Sequence, residues 1–513
     1  MSDYPVLTVA TFLPLVGAAV ILLSGRATGY IPTVVRTGRS SPALHRRDNP
    51  GRSPLARWIA LVTTLATLAV LAPLYWRFDK SSRGLQFVES ADWIPAWNIA
   101  YRVGVDGISL PFVLLAALLS VLCVGASWTA VRTRVGEFYA ALLVAETAMI
   151  GLFAAANLFL FFVFWELMVV PLFLLIGVWG GAARVYAAVK FLLFTLAGSV
   201  LMLVGIIALY SEFGTLDFKE LVGKTMEPGF QAWLFVAFTA AFAVKVPMFP
   251  VHTWLPDAHT EAPTAGSVIL AGILLKMGAY GFLRISLPIL PDAARLFLTP
   301  MLVISAVAIV YGAYVTLTQT DVKRLIAYSS VSHMGFVTLG IFTGNKSGLE
   351  GAILQMINHG ITTGALFLCV GMIYERTHTR EIKDYGGVAK AAPAYATFLA
   401  LFCLAAAGFP GLNSFVGEFL IIGGAFKTKA WLGGMAIWGV ALGTTYLLWL
   451  YNRVAMGEMN PGLKGLRLEL NAREVATLAP LAFLALCLGL YPDSLLSYLS
   501  APVAELLTAG ATP

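Results

Sequence analysis

The stretch KVPMFPVHTWLPDAHTEAPTAGSVILAGILLKMGAYGFLR, residues 245–284, carries two lysines within apolar sequence. Lys245 ends one apolar run, and Lys276 lies about 20 Å along a helix that would begin at Pro263, at 1.5 Å per residue. A charge near the bilayer centre costs about 2.5–3.5 kcal/mol on insertion scales. Chains keep such groups where they pair, face a hydrated interior or carry protons. The stretch therefore predicts a membrane protein with an ionisable interior.

The composition of the whole chain supports this interpretation. Of 513 residues, 59% are hydrophobic and only 12% are charged, whereas soluble domains carry about 25% charged residues. Apolar runs of 18 or more residues recur from end to end, which is typical of transmembrane helices. We predict an all-α polytopic membrane protein with about 14 transmembrane helices, at about 5–24, 55–76, 108–131, 138–156, 158–178, 187–210, 231–250, 263–286, 297–318, 325–343, 351–374, 393–426, 431–452 and 475–499.

The basic residues predict the orientation in the membrane. The net charge is +7, and about 20 of the 34 Lys and Arg residues fall in alternate loops, against about 10 in the other set. Because cytoplasmic loops are enriched in Lys and Arg, both termini are expected on the outer side, the periplasm if the membrane is a bacterial inner membrane. No basic patch is interleaved with aromatic residues, so a nucleic acid partner is not expected. The lipid bilayer is the expected environment.

The placement of charges suggests four parts. Residues 1–136 would form three N-terminal helices with an Arg-rich cytoplasmic loop at about 25–56. Residues 137–290 and 291–456 would form two five-helix repeats, and 457–513 a loop and the last helix. Since five is odd, the repeats would be inverted relative to each other, as in many transporters.

Each repeat is expected to contain a broken helix. Pro247, Pro250 and Pro256 interrupt the first, because proline lacks a backbone donor. Gly408 and Pro410, in AAAGFPGLNSFVGEFLIIGG, interrupt the second. Irregular backbone at membrane depth is tolerated only where protein or water satisfies it, so these breaks predict functional sites.

Six ionisable residues lie within the apolar runs, and we take them as candidates for proton translocation: Glu166, Lys245, Lys276, His333, His359 and Glu418. A carboxylate near a buried lysine stabilises its charged form, so changing the distance between Glu166 and Lys245 would load or unload a proton. The histidines would extend the relay, because histidine titrates near neutral pH. Separately, Lys190 and Arg284 are expected to snorkel towards the membrane surface.

Other chemistry has little support in the sequence. The four cysteines are far apart, and no nucleotide-binding glycine motif occurs, so no cofactor is expected in this chain. His252, Asp257, His259 and Glu261 are clustered, but their spacing fits no standard zinc site. We expect them to line the break or to cap the following helix.

Several motifs resemble those of a known family. FWELMVVPLFLLIGVWGG, residues 245–284, DVKRLIAYSSVSHMGF, YERTHTREIKDYGGV and GFPGLNSFVGEFL resemble the antiporter-like membrane subunits of respiratory complex I, from about Tyr101 to Met456. The resemblance implies a 14-helix fold with two half-channels, a control pair at Glu166 and Lys245, a central Lys276, connecting His333 and His359, and a terminal Glu418. Sister chains usually carry lysine at the last position, so Glu418 favours the subunit-4-like branch.

The resemblance also implies partners and leaves alternatives. Other membrane-arm chains would surround this one, and FMN, iron–sulfur clusters and the quinone would belong to partner subunits. A subunit of a multi-subunit cation/proton antiporter or of a membrane-bound hydrogenase shares many of these motifs. The third hypothesis is a structural scaffold, in which the charges serve only helix packing.

Overall fold

The computed structural model describes residues 4–26 and 53–508. Most of the Arg-rich segment predicted at 25–56 lies outside the described residues. Within these two ranges the chain is built from helices, with one small antiparallel sheet at residues 86–105.

The first half contains fourteen α-helices and both strands within the described ranges. Their bounds are α1 Val6–Arg26, α2 Ser53–Arg77, β1 Gln86–Ile94, β2 Ile99–Val105, α3 Ser109–Ala130, α4 Val135–Ala154, α5 Leu158–Leu167, α6 Val169–Trp179, α7 Arg184–Phe213, α8 Phe218–Leu221, α9 Pro228–Lys245, α10 Trp254–Glu261, α11 Thr264–Ile269, α12 Leu275–Gly281, α13 Leu287–Ile289 and α14 Pro291–Leu296. Helices α11, α12 and α13 run on through π-helical turns at Leu270–Leu274 and Phe282–Ser286.

The second half is entirely helical in its regular structure, as far as it is described. Its helices are α15 Leu298–Leu317, α16 Val322–Phe342, α17 Lys346–Thr377, α18 Val388–Ala391, α19 Pro393–Ala406, α20 Asn413–Thr428, α21 Ala430–Ala455, α22 Ala472–Leu490 and α23 Asp493–Leu506.

Polar side chains fix where several of these helices begin. The Asn157 side chain accepts a hydrogen bond from Leu160 N at 2.8 Å, and it separates α4 from α5. Asp321 caps α16 and Asn345 caps α17 in the same way. These caps satisfy backbone donors that a helix start leaves free.

The prediction of a polytopic membrane protein is confirmed. Twelve helical segments in the described ranges are long and apolar enough to cross a bilayer. Two interrupted pairs, α9–α10 and α19–α20, are additional; if each pair crosses once, the total is the predicted 14. Large apolar side chains face outward on α1, α2 and α7, including Leu23, Val62 and Leu193. The division into two inverted repeats stays a prediction.

The last predicted span, 475–499, has the wrong end. Helix α22 stops at Leu490, and α23 is a separate helix that starts at Asp493. Pro492 explains the stop, because proline disfavours helical backbone in the residue before it. Tyr491 accordingly has φ −133° and ψ 68°.

Both predicted breaks are present. Helix α9 ends at Lys245, and helical structure resumes only at Trp254. Helix α19 ends at Ala406, and α20 begins at Asn413, with Gly408 at φ +72° and Gly411 at φ +90° between them. These positive φ values suit glycine, which has no Cβ to clash.

The β-hairpin was not predicted from the sequence. Strands β1 and β2 pair antiparallel at one end of the helical bundle. The Glu89 carboxylate accepts hydrogen bonds from Leu7 N at 2.7 Å and Thr8 N at 2.9 Å, at the N-terminus of α1. Arg102 pairs with Asp217 at 2.5 Å, which ties β2 to the start of α8. The hairpin thus ties the N-terminus of α1 to the start of α8.

Helices α17 and α20 approach each other closely at Gly351. A Cβ at this position would lie 2.8 Å from Ile421 N and 2.9 Å from Gly417 O. Small residues allow such contacts between membrane helices.

We expect Gly351→Val to destabilise the chain by about 1–3 kcal/mol, the usual cost of overpacking. Thermal unfolding in detergent measures the effect. Gly423→Val is the control, because nothing lies within 4 Å of a Cβ there; equal destabilisation by both variants would contradict the prediction.

Candidate functional site

Lys276 lies in the helix segment that follows a π-helical turn. It is the second residue of α12, directly after Leu270–Leu274, and its side chain is fully buried. Its Nζ donates to the carbonyl oxygen of Ala271, five residues earlier. Single π-helical turns occur often at functional sites. Here the turn places a backbone acceptor beside the amine.

His359 of α17 receives the other contact of Lys276. Lys276 Nζ and His359 Nδ1 are 2.6 Å apart, a hydrogen bond whose direction depends on the tautomer. The other ring nitrogen, Nε2, is buried and has no hydrogen-bond partner. The His359 ring faces that of His333, on α16, with centroids 5.8 Å apart. The two histidines are therefore close enough to be bridged by one water molecule.

His333 continues the contacts to the terminal carboxylate. Its Nδ1 lies 3.5 Å from Glu418 Oε1, and its Nε2 lies 3.4 Å from the Tyr446 hydroxyl. Glu418 Oε1 also accepts a hydrogen bond from Gln355 Nε2 at 3.0 Å. The backbone of the second break lies against the same carboxylate, since a Cβ on Gly408 would be 2.5 Å from Glu418 Oε2.

Burial sets these residues apart from ordinary charged residues. The relative exposures are Lys245 1%, Lys276 0%, His333 6%, His359 2% and Glu418 4%. Glu166 is half-buried. Charged and titratable groups are rarely buried like this unless they are paired or functional.

The predicted ion pair between Glu166 and Lys245 is not formed in this structure. Lys245 Nζ instead donates to the backbone carbonyl of Trp165 at 2.9 Å, and it lies 3.7 Å from the centroid of the Trp165 ring. Trp165 lies in the last turn of α5, where carbonyl groups can accept from outside the helix. Glu166 Oε1 is buried without a partner. The lysine is thus held at the residue adjacent to the glutamate.

The candidates therefore fall into two groups. Lys276, His359, His333 and Glu418 form one continuous line, and Glu166 with Lys245 forms a separate pair. The helices that carry the two lysines touch, because a Cβ on Gly278 of α12 would lie 2.7 Å from Phe242 O of α9. We refer to the four-residue group as the central line.

Comparison with known proteins identifies the family. The family described as NADH:quinone oxidoreductase/Mrp antiporter, transmembrane, matches residues 155–443, which is more than half of the chain. The chain belongs to this family. It is similar to NADH-quinone oxidoreductase subunit M of Rhodobacter capsulatus, with 47% identity over 98% of this chain and 96% of that protein.

Two further members of the family match over most of their length. NADH-ubiquinone oxidoreductase chain 4 of Arabidopsis thaliana is 44% identical over 90% of this chain and 93% of that protein. Among solved structures, a chain of respiratory complex I from Thermus thermophilus with bound NADH has a TM-score of 0.84 and 30% identity, and covers 98% of this chain and 99% of its own length. The family resemblance of the sequence motifs is confirmed.

The expectation that the Lys190 and Arg284 side chains extend towards the membrane surface is wrong. Lys190 pairs with Asp257 at 2.7 Å, which links α7 to α10. Arg284 pairs with Asp106 and donates to the Tyr280 hydroxyl at 2.9 Å. Both cations find carboxylates on other elements, and sequence periodicity alone does not reveal such partners.

The cluster near the first break has several separate contacts. Asp257 accepts from Lys190, and Glu261 accepts from Ala183 N at 2.8 Å and lies 3.9 Å from Arg380. His259 is fully buried, and its ring stacks on Phe367 at 4.7 Å. No group of three possible ligands for a metal ion occurs in the described ranges.

Sequence reasoning missed three residues. Gln355 and Tyr446 contact the central line. Neither an amide nor a phenol is charged, so a search for charged residues within apolar runs does not find them. Glu146 lies in the middle of α4, is fully buried, and has no hydrogen-bond partner on either carboxylate oxygen. Glu146 is an ionisable residue within an apolar run, as Glu166 is, so the same criterion could have identified it.

Proposed function

We propose that this chain is the proton-translocating membrane-arm subunit of a redox-driven NADH–quinone oxidoreductase, and that the six candidate residues carry the protons. The main support is the central line, in which consecutive titratable groups on α12, α17, α16 and α20 lie within direct or single-water reach. The names of the relatives, NADH-quinone oxidoreductase subunit M and NADH-ubiquinone oxidoreductase chain 4, favour the same activity.

Proton movement along the central line needs only small steps. A protonated Lys276 gives a proton to His359 Nδ1 across the 2.6 Å contact. His359 then releases its Nε2 proton towards His333, through an intervening water molecule. His333 Nδ1 passes a proton to Glu418 Oε1, 3.5 Å away. The line resets when Glu418 releases its proton to the next acceptor, both histidines return to their starting tautomers, and Lys276 is reloaded.

The Glu166–Lys245 pair would control the loading. In this structure Lys245 donates to Trp165 O, one residue from Glu166. A short movement of the ammonium to the Glu166 carboxylate would stabilise its charged form, and movement back would favour release of the proton. Redox chemistry in partner chains would drive this change through the membrane arm.

The setting of the chain follows from this function. Other membrane-arm subunits would contact its lipid-facing helices, and FMN, iron–sulfur clusters and the quinone would be held by partner chains. The membrane would be a bacterial inner membrane, with both termini on the periplasmic side because of the Lys and Arg distribution. Residues 137–290 and 291–456 would be the two inverted repeats, each with one of the two breaks.

The proposal is tested by replacing one residue at each end of the path. In the assembled complex, reconstituted into vesicles, we expect Lys245→Ala and Glu418→Gln each to lower proton uptake coupled to quinone reduction at least tenfold, since positioned proton-transfer groups contribute about 10²–10⁴-fold. Lys427→Ala is the control, because Lys427 is exposed and bonds only Ser347 in the described structure. Control-level uptake in both variants would reject the proposal.

The same preparation separates the alternative function. The family also contains Mrp antiporters, which need no electron donor for cation/proton exchange. If flavin and iron–sulfur subunits co-purify in mild detergent, the redox-driven function stands. If they do not, and sodium drives proton flux without a donor, the chain is an antiporter subunit.

A further inference from the structure

Glu146 is the one carboxylate in the described membrane-spanning helices whose two oxygens are both buried and unpartnered. It lies in α4, which packs against α1, α2, α3, α5 and α6. The central line lies on other helices, α12, α16, α17 and α20. Buried polar groups nearly always have hydrogen-bond partners, so this exception requires an explanation.

An ionised Glu146 does not fit its surroundings. Neither oxygen of Glu146 has a hydrogen-bond partner in the described structure, so no basic side chain there neutralises its charge. An isolated buried carboxylate is strongly disfavoured, and such a group becomes neutral instead. Neutral glutamic acid is itself a proton carrier.

A row of polar groups leads from Glu146 towards Arg57 and Arg473. Tyr139 lies seven residues earlier in α4, and seven residues are almost two full helical turns, so both side chains share one face. Tyr139 is fully buried and its hydroxyl has no hydrogen-bond partner. The hydroxyl lies near Arg57 of α2, and Arg473 of α22 is the next cation whose charge acts on it.

Arg473 connects this row to solvent. It lines an open cavity of about 380 Å³ at the ends of α3, α17 and α22, together with Trp128 and Glu474. Its Nη1 is buried without a partner. Water in this cavity would therefore reach the Arg473 guanidinium.

We propose that Glu146 is a second proton-binding site of this chain, which exchanges its proton with solvent in the cavity at Arg473, by way of Tyr139. This inference rests on the proposed function in one respect, since both require that protons move through the membrane interior of the chain. The gap from Tyr139 to Glu146 is about 10 Å along α4. About three hydrogen-bonded water molecules span it, at about 2.8 Å per link. Since Leu142 and Leu143 occupy the intervening turn, the waters enter transiently and the exchange is slow.

Infrared difference spectroscopy of the assembled complex tests the site. The carbonyl stretch of a protonated carboxylic acid, which shifts when hydrogen is replaced by deuterium, should be present in the wild type and in Glu166→Gln, and absent in Glu146→Gln. If Glu146→Gln does not assemble, Glu146→Asp should move the band. If Glu146→Gln instead loses the band of an ionised carboxylate and keeps the band of the protonated acid, the inference is overturned.

The path has its own readout. We expect deuterium exchange of the Glu146 band to be at least tenfold slower in Tyr139→Phe than in the wild type. Tyr186→Phe, at an exposed tyrosine of α7, should leave the rate unchanged. An unchanged rate in Tyr139→Phe would overturn the proposed path. Failure of the proposed function would appear separately, as normal coupled proton uptake in Glu418→Gln, and would not alter the Glu146 band.

Discussion

Replacing Lys276 by alanine is expected to lower coupled proton uptake by about tenfold or more in the assembled complex, because one proton-transfer group contributes about 10²–10⁴-fold to such steps. The variant removes the first group of the central line and breaks the 2.6 Å contact with His359. It also frees the Ala271 carbonyl beside the π-helical turn. The measurement is proton uptake per quinone reduced in reconstituted vesicles, together with the rate of quinone reduction.

Two further variants separate proton transfer from folding. Lys276→Met keeps the apolar stem and removes only the amine, so it should fold like the wild type and lose coupled uptake like the alanine variant. His359→Asn should lose uptake while Lys276 remains. If the Met variant assembled normally and pumped at the wild-type rate, Lys276 would be a structural residue and the central line would not carry protons.

The sequence predicted the helical membrane fold because its cause is local. Long apolar runs must cross a bilayer as helices, and Pro247 and Gly408 mark the breaks by their own backbone chemistry. The hairpin at 86–105 is different. Its segment QFVESADWI mixes charged, small and apolar residues, and this strand, β1, is mostly exposed. Its order depends on tertiary contacts such as Glu89 with the start of α1, which no local pattern announces.

The candidate site divides in the same way. Identity and depth of the six residues could be read from the sequence, because a charge within an apolar run is conspicuous. Their mutual distances could not. The Lys276–His359 contact joins residues 83 apart in sequence, and the Lys190–Asp257 pair joins residues 67 apart. The position of Lys245 against Trp165 O, instead of against Glu166, also depends on how α5 and α9 pack.

Replacing Glu474 by alanine is expected to destabilise the chain by about 3–5 kcal/mol, the usual result of leaving one member of a buried ion pair alone. Arg376, near the end of α17, makes a bidentate contact with Glu474, at 3.0 and 2.6 Å. Glu474 also completes the capping box of α22, accepting from Asn471 N at 2.9 Å. The variant therefore removes a cross-helix tie and a helix cap together. Thermal unfolding in detergent and the amount of chain in membranes measure the loss.

Two comparisons distinguish a buried pair from a surface pair. Glu137→Ala breaks the Arg134–Glu137 contact, whose side chains are 55% and 39% exposed, so it should cost only about 0–1 kcal/mol. The double variant Arg376→Leu with Glu474→Leu should be more stable than Glu474→Ala, because it removes both charges of the Arg376–Glu474 pair. If Glu474→Ala were no more harmful than Glu137→Ala, the Arg376–Glu474 pair would not hold α17 against α22, and the stability of this region would have to come from apolar packing alone.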